Sequence, residues 1–535
     1  MMDFSTLVSA LQNPEIYPGN PGRVDFFQTH ASGLFLTGTH VYKVKKPVDF
    51  GFLDFTTLEK RKFYCEQEVI LNRRLCPQIY LGVVEIRLYQ GRISLGEGPG
   101  EIVKYAVFMK QLPQDCMMDR WLSRKAITPA LLNKIAAKIA HFHAQADTSS
   151  EISSYGTIDA IRQNLEENFT QTEKYVGLSL TAKFFWEIKE NTDRFLQNQL
   201  PLFNKRIASG RIRDCHGDLH LQHICLTEEI LIFDCIEFNQ RFRYSDVAAD
   251  LAFLLMDLDF HGYPLLSADL GSNYLRISQD WALFLLLDFY KSYRAYVRGK
   301  VTSFRLDDPA ISVGEKSPIG EEARRYFLWA HQYARRINRP TLFITCGLIG
   351  TGKSTIARAL SEAVGWERLT SDVLRKELAH LSPREHHHER FHLGLYSPDF
   401  SSKTYQAIFE RARNILDAGN SLIIDASFKK RTDRQQAWTL ALQSQADFLL
   451  IECQTPEAEV QRRLARRASD PDEPSDGRWE LFVAQKEDFE KVEELGPDFH
   501  LALRTEGSVE ECLGAIFQHL LRRVAREGPS QLDGK

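Results

Sequence analysis

The stretch that most constrains this chain is Gly347-Leu348-Ile349-Gly350-Thr351-Gly352-Lys353-Ser354, which fits the pattern G-x-x-x-x-G-K-[ST]. Before it, Leu342 to Cys346 is apolar and short enough for a buried strand. After it, Thr355 to Leu360 has the texture of a helix. Glycines let consecutive backbone N–H groups turn inward around phosphate oxygens, and the following helix N-terminus adds its partial positive charge. In that setting the loop from Gly347 to Thr355 is expected to cradle a nucleotide. Lys353 would reach the β- and γ-phosphates and Ser354 would hold Mg²⁺.

The 535 residues exceed one ordinary core and suggest about three modules. With 67 basic against 71 acidic residues the net charge is -4, which argues against a protein that coats polyanions, so no nucleic-acid partner is expected. Nine cysteines are scattered without a C-x-x-C pair, so neither a zinc cage nor a disulfide framework is signalled. The start lacks a basic region followed by an apolar one, and the most apolar later run, Leu251 to Met256, is interrupted by Asp257 and Asp259. The expectation is a soluble, cytoplasmic protein without a membrane partner.

In the first half, residues 23–46 alternate like a hairpin, and a period of two puts Val41, Lys43 and Lys45 on one strand face, Tyr42 and Val44 on the other. Such a lysine either belongs to a solvated edge strand or reaches into a cleft to hold phosphates. A helix is expected from Thr57 to Leu75, strands near 81–86 and 105–110, and helices through 131–146 and most of 157–199. A β-rich lobe therefore precedes a helical one. The helical lobe contains Asp214-Cys215-His216-Gly217-Asp218-Leu219-His220-Leu221-Gln222-His223, followed by Leu231-Ile232-Phe233-Asp234. His216, His220 and His223 are expected to be hydrogen-bonded loop residues rather than a zinc site, and Asp246 and Asp250 to be structural. Residues 303–320, polar and broken by Pro and Gly, are expected to form a loop, with a helix from Glu321 to Asn338 after it.

The first motif resembles the catalytic loop H-G-D-x-x-x-x-N of the aminoglycoside-phosphotransferase-like branch of the protein-kinase fold. That resemblance makes Asp218 the base for a substrate hydroxyl, Asp234 a Mg²⁺ ligand, and Lys43 the strand lysine with Lys45 as the alternative. Glu68 would be the helix partner of that lysine, with Glu66 as the fallback. One position departs from the pattern. His223 stands where the metal-binding Asn belongs, and its nitrogen suits Mn²⁺ better than Mg²⁺.

The second half resembles the small P-loop kinases that include gluconate kinase, polynucleotide kinase and zeta-toxin-like enzymes. Their S/T-x-D-x-x-R segment is matched by Ser371-Asp372-Val373-Leu374-Arg375 once Thr370 is included. The resemblance makes Asp372, at a strand end, the base for an acceptor hydroxyl, and Arg375 the guide for an anionic group. Asp425, closing the strand Ser421 to Asp425, would share Mg²⁺ with Ser354. Arg463 and Arg467, four apart on a helix expected to start at Thr455-Pro456, would close a lid with the polar loop 468–477. The histidines 386–388 read as a solvated insert.

Taken together, the expected fold is an α+β protein-kinase-like domain (1–302), a linker and connecting helix (303–340), and an α/β P-loop NTPase domain with a parallel sheet (341–525). The expected function is ATP-dependent phosphotransfer to small-molecule hydroxyl groups at two sites, with ATP and Mg²⁺ at both and Mn²⁺ possible at the first. A polynucleotide-type acceptor and the oligomeric state stay open. One rival makes the first half a ligand-sensing pseudokinase, and another makes the second an ATPase switch without an acceptor.

Overall fold

The computed structural model describes residues 4–381, 394–467 and 479–527. The histidines 386–388 and the loop 468–477 lie outside these residues, as does the side chain of Arg467. Two compact units are formed, the first from residues 1–174, 196–262 and 293–301, the second from 175–195, 263–292 and 302–535. Contiguity in sequence and compactness in space thus divide the chain differently, since 175–195 and 263–292 group with the C-terminal half.

The first unit opens with an antiparallel sheet. Its strands are β1 (Asp25–Gln28), β2 (Ser32–Leu36), β3 (His40–Lys45), β4 (Tyr80–Tyr89), β5 (Arg92–Leu95) and β6 (Glu101–Lys110), in the order β1-β2-β3-β6-β4-β5. Strand β3 is central rather than an edge, because β2 and β6 pair on either side of it. Its alternation holds: Tyr42 and Val44 enter an apolar core with Leu7, Leu11 and Phe35. Lys43 and Lys45 face the helix Leu58–Asn72, whose start is capped by the Thr57 side chain.

Helices follow, among them Pro129–Gln145 and Ile158–Thr172. The ribbon β7 (Ile212–Asp214) with β10 (Tyr244–Asp246) and the hairpin β8 (Ile224–Leu226) with β9 (Ile230–Ile232) hold the loop that bears Asp218 and return the chain to Asp234. Asp246 caps the helix Val247–Phe260, all of it buried, and pairs with Arg206 at 2.7 Å.

The second unit is built on five parallel strands, β11 (Thr341–Cys346), β12 (Glu367–Thr370), β13 (Leu422–Asp425), β14 (Asp447–Gln454) and β15 (His500–Arg504), in the order β12-β13-β11-β14-β15. Central β11 is apolar on both faces, as a parallel strand covered by helices must be. Within the same unit the helices Pro264–Ser278 and Val509–Glu527 pack together, Trp281 stacks on Phe517 at 5.3 Å, and Arg522 meets Asp269 at 2.6 Å.

The expected polar loop 303–320 is largely helical. A helix runs from Val313 to Ala334, opened by a capping box in which Ser312 and Glu315 satisfy each other's backbone N–H groups, and Pro318 lies inside it. Proline and glycine suggested a break, but the cap supplies enough hydrogen bonds to start the helix ahead of them. Among the described residues no helix is long and apolar enough to cross a membrane.

Candidate functional site

In the second unit, β11 ends at Cys346 and the glycine loop leads into the helix Lys353–Val364. Gly347 has φ +132°, and a Cβ there would lie 2.6 Å from the Cys453 carbonyl oxygen, so only glycine fits. Ser354 donates its hydroxyl to Asp425 Oδ1 at 3.2 Å, while Arg368 donates to Asp425 Oδ2 at 3.3 Å. A hydroxyl beside a carboxylate is a hard-oxygen set that suits Mg²⁺. Burial raises the Asp425 carboxyl above its ordinary range and lowers the Lys353 ammonium, whose Nζ donates to the Leu348 carbonyl at 2.8 Å.

The loop is held from outside by Thr505, which donates to the Thr351 carbonyl at 2.7 Å, and by Gln485, which accepts from the Ile349 N–H at 3.0 Å. Neither residue carried a signal in the sequence. Asp372 is not at a strand end; β12 stops at Thr370, and Asp372 occupies the exposed first turn of the helix Ser371–Leu378. It is close enough to act on the charges of Lys353 and Asp425. Arg375, three residues on in that helix, is buried and donates to the Leu395 carbonyl at 3.1 Å. Arg463 reaches Glu459 at 2.9 Å and the Thr505 carbonyl at 2.6 Å, beside the loop. Thr455 is not the expected cap of its helix, which spans Glu457–Arg467, because its hydroxyl meets that of Thr505 at 2.7 Å.

In the first unit, Lys43 lies 2.8 Å from Glu68 Oε1 and 2.7 Å from Asp234 Oδ1. Lys45 takes the other Glu68 oxygen at 2.6 Å and also pairs with Glu237. Of the two, only Lys43 reaches Asp234. Glu66 lies on the surface, 4.0 Å from Lys62, and is not the partner. Burial opposes the Lys43 ammonium, but Asp234 and Glu68 outweigh it and raise its pKa well above the ordinary value.

The segment His216 to Asp218 is fixed by Asp250, which accepts the N–H groups of His216 and Gly217 at 3.0 and 2.8 Å and meets His143 at 3.0 Å. Gly217 has φ +84° and abuts the Phe242 carbonyl, again a place for glycine alone. Asp218 and Asp234 converge on His223: its Nδ1 is 2.9 Å from the Asp218 carbonyl oxygen, and its Nε2 is 3.4 Å from Asp234 Oδ2. His220 stacks on His223 at 3.9 Å between ring centres, with its Nε2 3.5 Å from Asp218 Oδ2. Burial and the adjacent His220 lower the His223 imidazole to about 4. Burial works to raise the Asp218 carboxyl, yet the imidazole of His220, with those of His223 and His216, holds it well below the usual range. Asp218, His220 and His223 bring ligand atoms within 4.8 Å of one another.

A kinase-type lobe with a lysine, a helix glutamate and two aspartates, followed by a glycine-loop sheet, makes a chain of two phosphotransferase-type domains. The profile of the Phosphotransferase enzyme family matches residues 92–286, and that of the AAA domain matches 342–492. Proteins of Mycobacterium tuberculosis and Mycobacterium bovis, both described as uncharacterized, are 30% identical over 446 residues, covering 83% of this chain and 86% of theirs. This chain belongs to their family, and in it a kinase-like phosphotransferase domain precedes a P-loop kinase domain. Among solved structures, a gluconokinase from Sinorhizobium meliloti 1021 covers 35% of this chain and 95% of its own, at 20% identity and a TM-score of 0.26. A choline/ethanolamine kinase family protein from Mesorhizobium loti covers 62% and 99%, at 11% identity and a TM-score of 0.36.

Proposed function

We propose that the protein is an ATP-dependent phosphotransferase of the cytoplasm, with two separate nucleotide sites, each passing a phosphoryl group to a hydroxyl of a small-molecule acceptor. The observation that carries this reading is Ser354 bonded to Asp425 at the foot of a glycine loop, a cradle for phosphate with an oxygen pair for Mg²⁺ beside it. In the second unit Lys353 exchanges the Leu348 carbonyl for the β- and γ-phosphates, and the N–H groups of the loop bind the remaining oxygens. Mg²⁺ held by Ser354 and Asp425 supplies charge neutralisation on the phosphates. Asp372 takes the proton of the acceptor hydroxyl, while Arg375, Arg463 and Arg467 steer the anionic groups.

In the first unit Lys43, oriented by Glu68, receives the phosphates. Asp218 takes the hydroxyl proton, and Asp234 with His223 holds the metal. The test is ADP release by the whole protein, screened against a panel of hydroxylated metabolites. Acceptor-dependent release that falls in Lys353→Ala and in Asp218→Asn supports two sites, and release unchanged in the double variant overturns the assignment of both.

A ligand-sensing first unit without turnover is the second reading, favoured by His223 in the place of the metal-binding Asn. Lys353→Ala separates the two, because only the first site is left to turn over. ADP release by that variant excludes the silent unit.

A further inference from the structure

Three histidines crowd the loop of the first site, and their backbone partners fix which ring nitrogen of each bears hydrogen. His216 Nδ1 accepts the Asp218 N–H at 3.3 Å, so its hydrogen is on Nε2, which donates to the Phe233 carbonyl at 2.9 Å. His220 Nδ1 accepts the Gln222 N–H at 3.3 Å, so its Nε2 hydrogen faces Asp218 Oδ2. That ring orients the Asp218 carboxylate and is no ligand. His223 is reversed. Its Nδ1 lies against the Asp218 carbonyl oxygen, which only accepts, so Nδ1 bears the hydrogen and Nε2 of the neutral ring is a bare lone pair.

That lone pair is 3.4 Å from Asp234 Oδ2, while Lys43 holds Asp234 Oδ1. A ring nitrogen and a carboxylate oxygen this close are held together by a proton on the nitrogen or by a cation between them, and the second is the arrangement of two ligands on one ion. Neighbouring ligands of an octahedral ion, each about 2.2 Å from it, are themselves about 3.1 Å apart, close to the separation found. A ring that donates its other N–H to a backbone carbonyl also has the second-shell arrangement typical of a metal-bound histidine. Resting on the proposal that the first unit binds a nucleotide, we infer that its divalent ion is ligated by His223 Nε2 and Asp234 Oδ2, and that this site selects Mn²⁺ over Mg²⁺. Nitrogen ligation favours the transition metal, whereas Ser354 and Asp425 in the second unit offer oxygen alone.

The test uses the full chain carrying Lys353→Ala, so that the metal–nucleotide complex enters the first site only, with Mn²⁺ and a non-hydrolysable ATP analogue. Pulsed EPR of bound Mn²⁺ is expected to show coupling to nitrogen. Protein grown with ring-¹⁵N histidine converts that coupling to ¹⁵N, which excludes the adenine nitrogens as its source. Adding His223→Asn is expected to remove the coupling while Mn²⁺ still binds, and to bring the preference for Mn²⁺ over Mg²⁺ down by about tenfold. Mn²⁺ bound with no histidine coupling, or with coupling that survives His223→Asn, overturns the inference and leaves the phosphotransferase reading intact. Absence of any metal–nucleotide binding in the Lys353→Ala chain overturns both the inference and the nucleotide site beneath it.

Discussion

Lys43 and Asp234, 191 residues apart in the chain, meet at 2.7 Å, and Glu68 shares the same ammonium. Lys45, two residues on, is deeper: it is 1% exposed and pairs with Glu68 and Glu237. The two lysines therefore differ in what their loss does. Lys43→Met is expected to weaken ATP binding at the first site by at least about tenfold with little loss of stability, since a partly open ammonium that faces phosphate is removed. Lys45→Met leaves two buried carboxylates short of a partner and is expected to destabilise the first unit by about 3 kcal/mol or more. Calorimetric titration of ATP and thermal melts of both variants, in the Lys353→Ala background, check this. Equal effects on binding would remove Lys43 from the phosphate site.

The phosphate loop and the parallel sheet around it were legible because their signal is local: eight residues state the loop, and the apolar run before it states the strand. The choice between Lys43 and Lys45 was not legible, since a period of two puts both on one face and only the return of Asp234 through the β8–β9 hairpin separates them. The helix from Val313 was hidden by Pro318 and Gly320, although Ser312-x-x-Glu315 is a readable start signal. For Asp372 and Arg375 the local structure was not legible, since the expected strand end is the first turn of a helix. Three residues apart on a helix, one is exposed and the other buried, so their side chains serve different surroundings. Gln485 and Thr505 reach the loop, and Arg368 reaches Asp425, from positions distant in the chain, and nothing in their neighbours marks them.

Arg305 is exposed in the short turn Arg305–Asp307 between the helices Leu287–Phe304 and Val313–Ala334. Trypsin is expected to cut there first. The pieces should stay together, because the second unit takes Pro264–Ser278 and Trp281 from one side of the cut and Val509–Glu527 with Phe517 from the other. Gel filtration of nicked protein without denaturant is expected to give a single peak, and denaturing electrophoresis two bands. Two native peaks would refute this account of the second unit.

Burial lifts the Asp433 carboxyl to about 6, with Glu490 and Tyr405 nearby and Arg434, Lys429 and Lys430 opposing the shift. The folded state therefore binds a proton between about pH 4 and 6 that the unfolded chain has released, and stability falls as pH rises through that window. Asp433→Asn removes the charged form. The variant is expected to be more stable than wild type at pH 7.5 by about 1 kcal/mol, a small figure because a side chain in partial contact with water is well screened. The difference should shrink as pH falls through that window and vanish near pH 3, below both values, and thermal melts at the two pH values measure it. A variant that melts below wild type at pH 7.5 would show the carboxylate to be a favourable charge in the folded state.

Asp372 stands in the first turn of its helix, exposed, with its charge acting on Lys353 and Asp425 and its side chain free of the buried packing that holds Arg375. In the proposed function a carboxylate so placed serves an incoming acceptor, and the loop and Ser354 serve the nucleotide. Asp372→Asn is expected to cut acceptor-dependent ADP release at the second site by about 10²-fold or more, the scale of a lost general base, with ATP affinity nearly unchanged. Stopped acceptor turnover with intact ATP binding supports the base. A collapse of ATP affinity would make Asp372 part of the metal and phosphate set instead, and unchanged turnover would hand the proton to another group on the same face.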